Sequence, residues 1–179
     1  MKNRKYSYSI TALIALLVIT MSCERKTDNL PLATYPTTAE VFIDGFSTGL
    51  YYAAYGTSKV TAFSVDNNVK YKGTSSMRFE VPNAGDPNGS YAGGVFGANP
   101  GRDLSGYTVL TFWAKASEPA SIVELGFGND MGASKYKVTL TNVALNSNWM
   151  QFFIPIPDPS VLKQEAGMFF YAAAPQNGA

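Results

Sequence analysis

Beyond residue 38 the chain is built from short runs in which apolar and polar residues alternate, separated by turn residues, and a period of two commits it to strands. In residues 75–81, Met77, Phe79 and Val81 fall on one face while Ser76, Arg78 and Glu80 fall on the other. Residues 135–140 repeat the pattern, with Tyr136, Val138 and Leu140 opposite Lys135, Lys137 and Thr139. One face of each run suits a core and the other suits water. Similar runs lie at 40–46, 62–65, 91–96, 108–116, 122–127, 150–154 and 167–171. No segment carries a helical stripe. The intervening Asp66-Asn67-Asn68, residues 83–89, Asn99-Pro100-Gly101 and Asn146-Ser147-Asn148 tolerate turn geometries. Many strands, frequent turns and no helices imply an all-β fold, an antiparallel β-sandwich.

The N-terminus carries a different signal. Lys2, Arg4 and Lys5 precede an apolar stretch from Ile10 to Met21, too short to span a bilayer. The single cysteine, Cys23, follows Ile19-Thr20-Met21-Ser22. This segment resembles a bacterial lipobox, although Thr20 and Met21 depart from the usual residues. It implies a signal peptide over 1–22, lipid attachment at Cys23 and a Bacteroidetes-like lipoprotein held at the outer membrane or cell surface by more than one acyl chain. The alternative is an ordinary secretory signal that leaves Cys23 as a spare thiol. Residues 23–38 are polar, include Pro31 and Pro36, and read as a tether for one domain over 39–179.

Charge and composition exclude several functions. Eleven Lys/Arg and thirteen Asp/Glu follow residue 22, a net charge of −2, so nothing marks a nucleic-acid partner. The chain has no histidine, which removes His-based triads and His metal sites, and a single cysteine cannot build a thiolate zinc site.

Three segments taken in order carry a resemblance. Residues 71–79, then Asp103-Leu104-Ser105-Gly106-Tyr107 leading into Leu110-Thr111-Phe112-Trp113-Ala114-Lys115, then Trp149 followed by Ile154-Pro155-Ile156, look like the galactose-binding-like jelly rolls. Non-catalytic carbohydrate-binding modules, often attached to glycoside hydrolases or borne on surface lipoproteins, share this order. The resemblance covers residues 40–179 and implies a polysaccharide or oligosaccharide partner, with a glycan-uptake or hydrolase system nearby. Members of the group close with one further strand. Here residues 175–179 read as a turn lacking its second strand, so the expectation is a jelly roll without its final strand, on a fragment of a longer protein. A structural Ca²⁺ is common in the group, and the matching positions are Asp44 or Glu40 and the carbonyl of Lys72.

Sugar capture calls for flat aromatic faces and hydrogen-bonding groups. Tyr51, Tyr52 and Tyr55, read as loop residues after the first strand, and Tyr91 supply faces. Trp113, opposite Leu110 and Phe112 by alternation, supplies another, unless a loop covers it. Glu124, set between inward-facing Val123 and Leu125, and Arg78 supply polar contacts. Trp149 reads as structural. Glu80, Glu124 and Asp130 are carboxylates that a hydrolase could use, yet no local pattern marks them, and no enzymatic activity is expected. A domain for adhesion or protein contact remains the other reading.

Overall fold

The computed structural model describes residues 30–130 and 136–175. The signal segment, Cys23 and Lys135 lie outside the described residues. Tyr35–Ala179 forms one compact unit; of Met1–Thr34, the described residues 30–34 carry no strand or helix.

Among the described residues, nine strands follow in chain order: β1 (Leu50–Ala54), β2 (Phe63–Asp66), β3 (Ser76–Phe79), β4 (Ala92–Arg102), β5 (Val109–Ala114), β6 (Ala120–Phe127), β7 (Val138–Leu145), β8 (Met150–Pro155) and β9 (Glu165–Ala173). A five-stranded sheet has the order β1-β4-β9-β6-β7, and every pairing in it is antiparallel. Two antiparallel ribbons, β2-β3 and β5-β8, form the facing layer. Phe63 of β2 and Phe79 of β3 pack on Phe96 of β4, and Phe112 of β5 packs on Phe169 of β9. Aromatic rings therefore fill the space between the layers, with Phe96 wholly buried at their centre. The all-β sandwich read from the alternation is the observed architecture. β9 is interior, flanked by β4 on one side and by β6 on the other.

Three local readings change. Residues 40–46 form no strand, only a bridge between Phe42 and Phe46. Asp44 takes a left-handed φ of 57° and turns the chain back, which brings those two rings edge to face at 5.2 Å. The first strand is instead β1, where Leu50-Tyr51-Tyr52-Ala53-Ala54 pairs with β4 from Ala98 to Gly94. At β6 the inward alternation of Leu125 and Phe127 breaks at Val123, which is exposed; Asn142 on β7 has φ 52°, and Ile122 with Val143 takes the core positions.

One buried charge fastens the segment ahead of β1. Arg102, at the end of β4, is 2% exposed, and its guanidinium donates to the carbonyls of Thr38, Glu40 and Thr48 and to Ser47 Oγ at 2.9–3.0 Å. Burial lowers its pKa, while the Glu40 carboxylate favours the charge. Arginine suits this place because its fork can satisfy four acceptors at once.

Candidate functional site

Alternation along β4 divides its residues between the two faces of the large sheet. Ala92, Phe96 and Ala98 enter the core, so Gly93, Val95 and Gly97 face outward. Both of these glycines have a tyrosine lying on them. A Cβ at Gly97 would stand 2.5 Å from Cζ and Oη of Tyr51, its cross-strand partner, and one at Gly93 would stand 2.7 Å from Cε2 of Tyr91. The absence of side chains on β4 lets both rings rest against the sheet. Tyr51 is 42% exposed and Tyr91 half-buried, so part of each ring is open to solvent. Four residues of strand set the two glycines roughly 13 Å apart, a span suited to an oligosaccharide rather than a single sugar.

Between the two glycines on the same face of β4 lies Val95, beside Phe170 of β9. Val95 and Phe170 of β9, paired across the strands, are wholly buried although, among the described residues, no second layer of strands packs on this side. The Lys137 ammonium stands 4.8 Å above the Phe170 ring and 3.3 Å from the Glu124 carboxylate. Asn129 Nδ2 donates to Tyr55 Oη at 3.0 Å, and Tyr91 Oη donates to the Tyr55 carbonyl at 3.2 Å. Burial, reinforced by the Glu124 carboxylate, drives the Tyr55 phenol far above its ordinary pKa and keeps it neutral. The face thus offers aromatic surface flanked by an amide, a phenol, a carboxylate and an ammonium, which are the donors and acceptors that sugar hydroxyls require. Just beyond Tyr55 and before Tyr91 in the chain, Gly56, Thr57, Ser58 and Asp86, Asn88, Ser90 line an open hollow of about 490 Å³.

The structure divides the residues named from sequence. Tyr51, Tyr55, Tyr91 and Glu124 belong to the outward face of the large sheet or its border. Tyr52 points the other way, into the core, packed on Phe63 and Phe96 and hydrogen-bonded to Tyr171 Oη at 3.0 Å. Adjacent residues of a strand face opposite sides, so β1 presents only one of its two tyrosines outward. Trp113 and Arg78 belong to the facing layer, Arg78 opposite Ser64 on exposed positions of β2-β3. Of the positions matched to calcium, Asp44 uses Oδ1 to accept the N–H groups of Thr74 and Ser75 at 2.6 and 3.0 Å, which hold its carboxyl below the usual range. Its carboxylate stands directly over Gly73, whose φ of 78° and lack of a Cβ permit that approach. Lys72 is the next residue back along the chain, and Glu40 acts electrostatically on Arg102. Among the described residues, no three His, Cys, Asp or Glu side chains gather as a metal site. Glu80 pairs with Lys59 at 2.6 Å, whereas Glu124 pairs with Lys137 on the large sheet.

Sequence reasoning missed Lys137 and Asn129. Lys137 sits on a polar stripe that reads as solvent-facing, and it reaches Phe170 because β7, β6 and β9 lie side by side with the bare Gly126 between them. The one sequence signal was the even spacing of Gly93 and Gly97 within a strand, which places both bare positions on the same face.

Residues 39–163 match the family model described as carbohydrate binding domain 30. The match spans more than two thirds of the chain and contains β1 to β8 entire. No curated protein and no solved structure matches the chain.

Proposed function

Because the chain belongs to the carbohydrate binding domain 30 family, and so to the non-catalytic carbohydrate-binding modules, we propose that it captures a glycan on the outward face of its large sheet, between Tyr51 and Tyr91. The observation carrying this reading is the pair of tyrosines laid on Gly97 and Gly93, a two-point platform on one face of β4. The apolar side of one sugar ring stacks on Tyr51 and that of another on Tyr91. Lys137, Glu124 and Asn129 hydrogen-bond the hydroxyls between them. Capture makes and breaks no covalent bond.

Place and context extend the proposal. Cys23 carries the lipid, residues 23–38 act as the tether, and the module holds glycan at the cell envelope for a hydrolase or an uptake system. A Ca²⁺ ion near Asp44 belongs to the same proposal, as a stabiliser of the turn at Gly73 rather than a ligand contact. A glycan array probed with the full chain, with calcium and with chelator, tests the first claim. Saturable binding that weakens about tenfold or more in a Tyr51→Ala/Tyr91→Ala variant is expected, two stacking contacts being lost. No binding by folded wild type refutes the reading, and unaltered binding by the variant moves the glycan off this face. Mass spectrometry of membrane-extracted protein tests the anchor: an acylated N-terminal Cys23 is expected, and an unmodified residue refutes it.

A further inference from the structure

A second aromatic surface lies on the opposite layer of the sandwich. Along β5, Val109, Thr111 and Trp113 face outward, and their partners on β8 are Pro155, Phe153 and Gln151, all exposed. The inward residues Leu110, Phe112, Phe152 and Ile154 belong to or pack against the core. On the outward side, Trp113 is 39%, Tyr71 49% and Phe153 55% exposed. Tyr71, from the connection between β2 and β3, stacks on Trp113 with ring centroids 3.9 Å apart and planes 10° from parallel. Trp149 meets the same tyrosine edge-on at 5.9 Å.

The stack packs the β2–β3 connection onto β5-β8, yet it leaves about two fifths to a half of each of its two side chains open to solvent, more than packing alone requires. Large aromatic residues exposed together mark an interaction surface. The stack holds Tyr71 in a preset orientation flat against Trp113, with Trp149 at its edge, and both stacked rings keep part of their surface in solvent. Trp113 pairs across the ribbon with the amide of Gln151, and Phe153 with the hydroxyl of Thr111, so the two aromatic rings are diagonal neighbours with a polar group beside each. The strands themselves, residues 109–114 and 150–155, contain no charged side chain, and the charges at the border are Lys70 and Lys72 beside Tyr71 and Lys115 after β5. A hydroxyl-bearing chain with apolar ring faces matches the aromatic surfaces of Tyr71, Trp113 and Phe153 and the uncharged hydroxyl and amide beside them.

We propose that the outward face of β5-β8, centred on the Tyr71–Trp113 stack, is a second binding site for neutral polysaccharide, separate from the tyrosine face of the large sheet. The inference rests on the carbohydrate-binding reading above. The two sites lie on opposite outer faces of one sandwich, so a single module bridges two glycan chains.

Depletion binding of the full chain to insoluble cellulose, chitin and starch tests this, using wild type, Tyr51→Ala/Tyr91→Ala, Tyr71→Ala, Tyr71→Ala/Trp113→Ala and the quadruple variant, each checked for folding by thermal melting. Tyr71 lies in a connection, so Tyr71→Ala supplies a reading even if Trp113→Ala lowers stability. The Tyr51/Tyr91 variant is expected to keep saturable binding to a polysaccharide that wild type binds. Adding Tyr71→Ala should weaken that remainder roughly threefold to tenfold, and the quadruple variant should bind nothing. Complete loss of binding in the Tyr51/Tyr91 variant overturns the second site and leaves the proposed function standing. Unchanged affinity on removing Tyr71 and Trp113 also overturns it. If that same change converts a dimer to a monomer in size-exclusion chromatography, the face is an interface between copies of the chain. Failure of folded wild type to bind any polysaccharide overturns both readings together.

Discussion

Replacing Gly97 by alanine separates the tyrosine face from the fold that carries it. The new methyl carbon would stand 2.5 Å from Cζ and Oη of Tyr51 and 2.8 Å from Cε1. Carbon contacts settle near 3.5–4.0 Å, so the ring has to move by about 1 Å or more. The obstruction is the far end of a surface side chain, and Gly97 has no left-handed φ, so the backbone accommodates alanine. The fold should change in stability by less than about 1 kcal/mol, in either direction. A stacked aromatic contact contributes about 0.5–1.5 kcal/mol, so a displaced Tyr51 ring should weaken glycan binding by about 2- to 12-fold. Gly126→Ala supplies the contrast. Its methyl would collide with the Val138 carbonyl, which belongs to the paired strand and cannot turn aside. Overpacking of that kind costs about 1–3 kcal/mol or more. Isothermal titration with a glycan that wild type binds, alongside thermal melts of both variants, reads the two effects apart. If Gly97→Ala keeps full affinity, Tyr51 is not a ligand contact. If it melts as early as Gly126→Ala, the glycine serves the fold rather than the tyrosine face.

Three more outcomes are expected from the structure. Phe96→Ala removes a wholly buried ring that touches Phe46, Tyr52, Phe63, Phe79 and Phe169, and should cost about 3–5 kcal/mol in chemical denaturation; a loss under about 1 kcal/mol would contradict its central place. Arg102→Met leaves the carbonyls of Thr38, Glu40 and Thr48 without their donor and should destabilise by about 3 kcal/mol or more, with residues 38–48 gaining proteolytic sensitivity; an unchanged cleavage pattern would refute the fastening role. Glu165 is buried, which raises its carboxyl pKa, as does the Asp130 carboxylate, although the Gly167 N–H favours the ionised form. Its folded pKa therefore lies above the unfolded one, so its contribution is fully present below the ordinary glutamate range and is lost as pH rises through the raised value. Glu165→Gln, which keeps an acceptor for Gly167, should melt higher than wild type at about pH 7 and lose that advantage on acidification. A lower melting temperature at neutral pH would reverse the assignment.

Local alternation made most strands legible, because a half-buried strand writes its two faces into the sequence. It failed where one residue changed the backbone. Asp44 in the left-handed region ends what looks like a strand over 40–46, and the irregularity at Asn142 turns Val123 outward. The tyrosines Tyr51 and Tyr52 read as a loop pair because the glycine-rich partner that makes them a strand lies some forty residues away. Once β1 pairs with β4, alternation alone assigns Tyr51 outward and Tyr52 to the core. The placement of Lys137 over Phe170 and of Asn129 on Tyr55 joins residues thirty-three and seventy-four positions apart, for which neighbouring residues carry no signal. The Tyr71–Trp113 stack is illegible for the same reason: forty-two positions separate its rings, and only the meeting of two ribbons joins them.

Backbone amide shifts during titration with an oligosaccharide selected on the glycan array test the central claim most directly. A ligand lying along the outward face of β4 should shift the amides of Tyr51, Gly93, Gly97, Asn129 and Lys137, and all five should saturate together. Saturating shifts elsewhere that leave those five amides in place would contradict it.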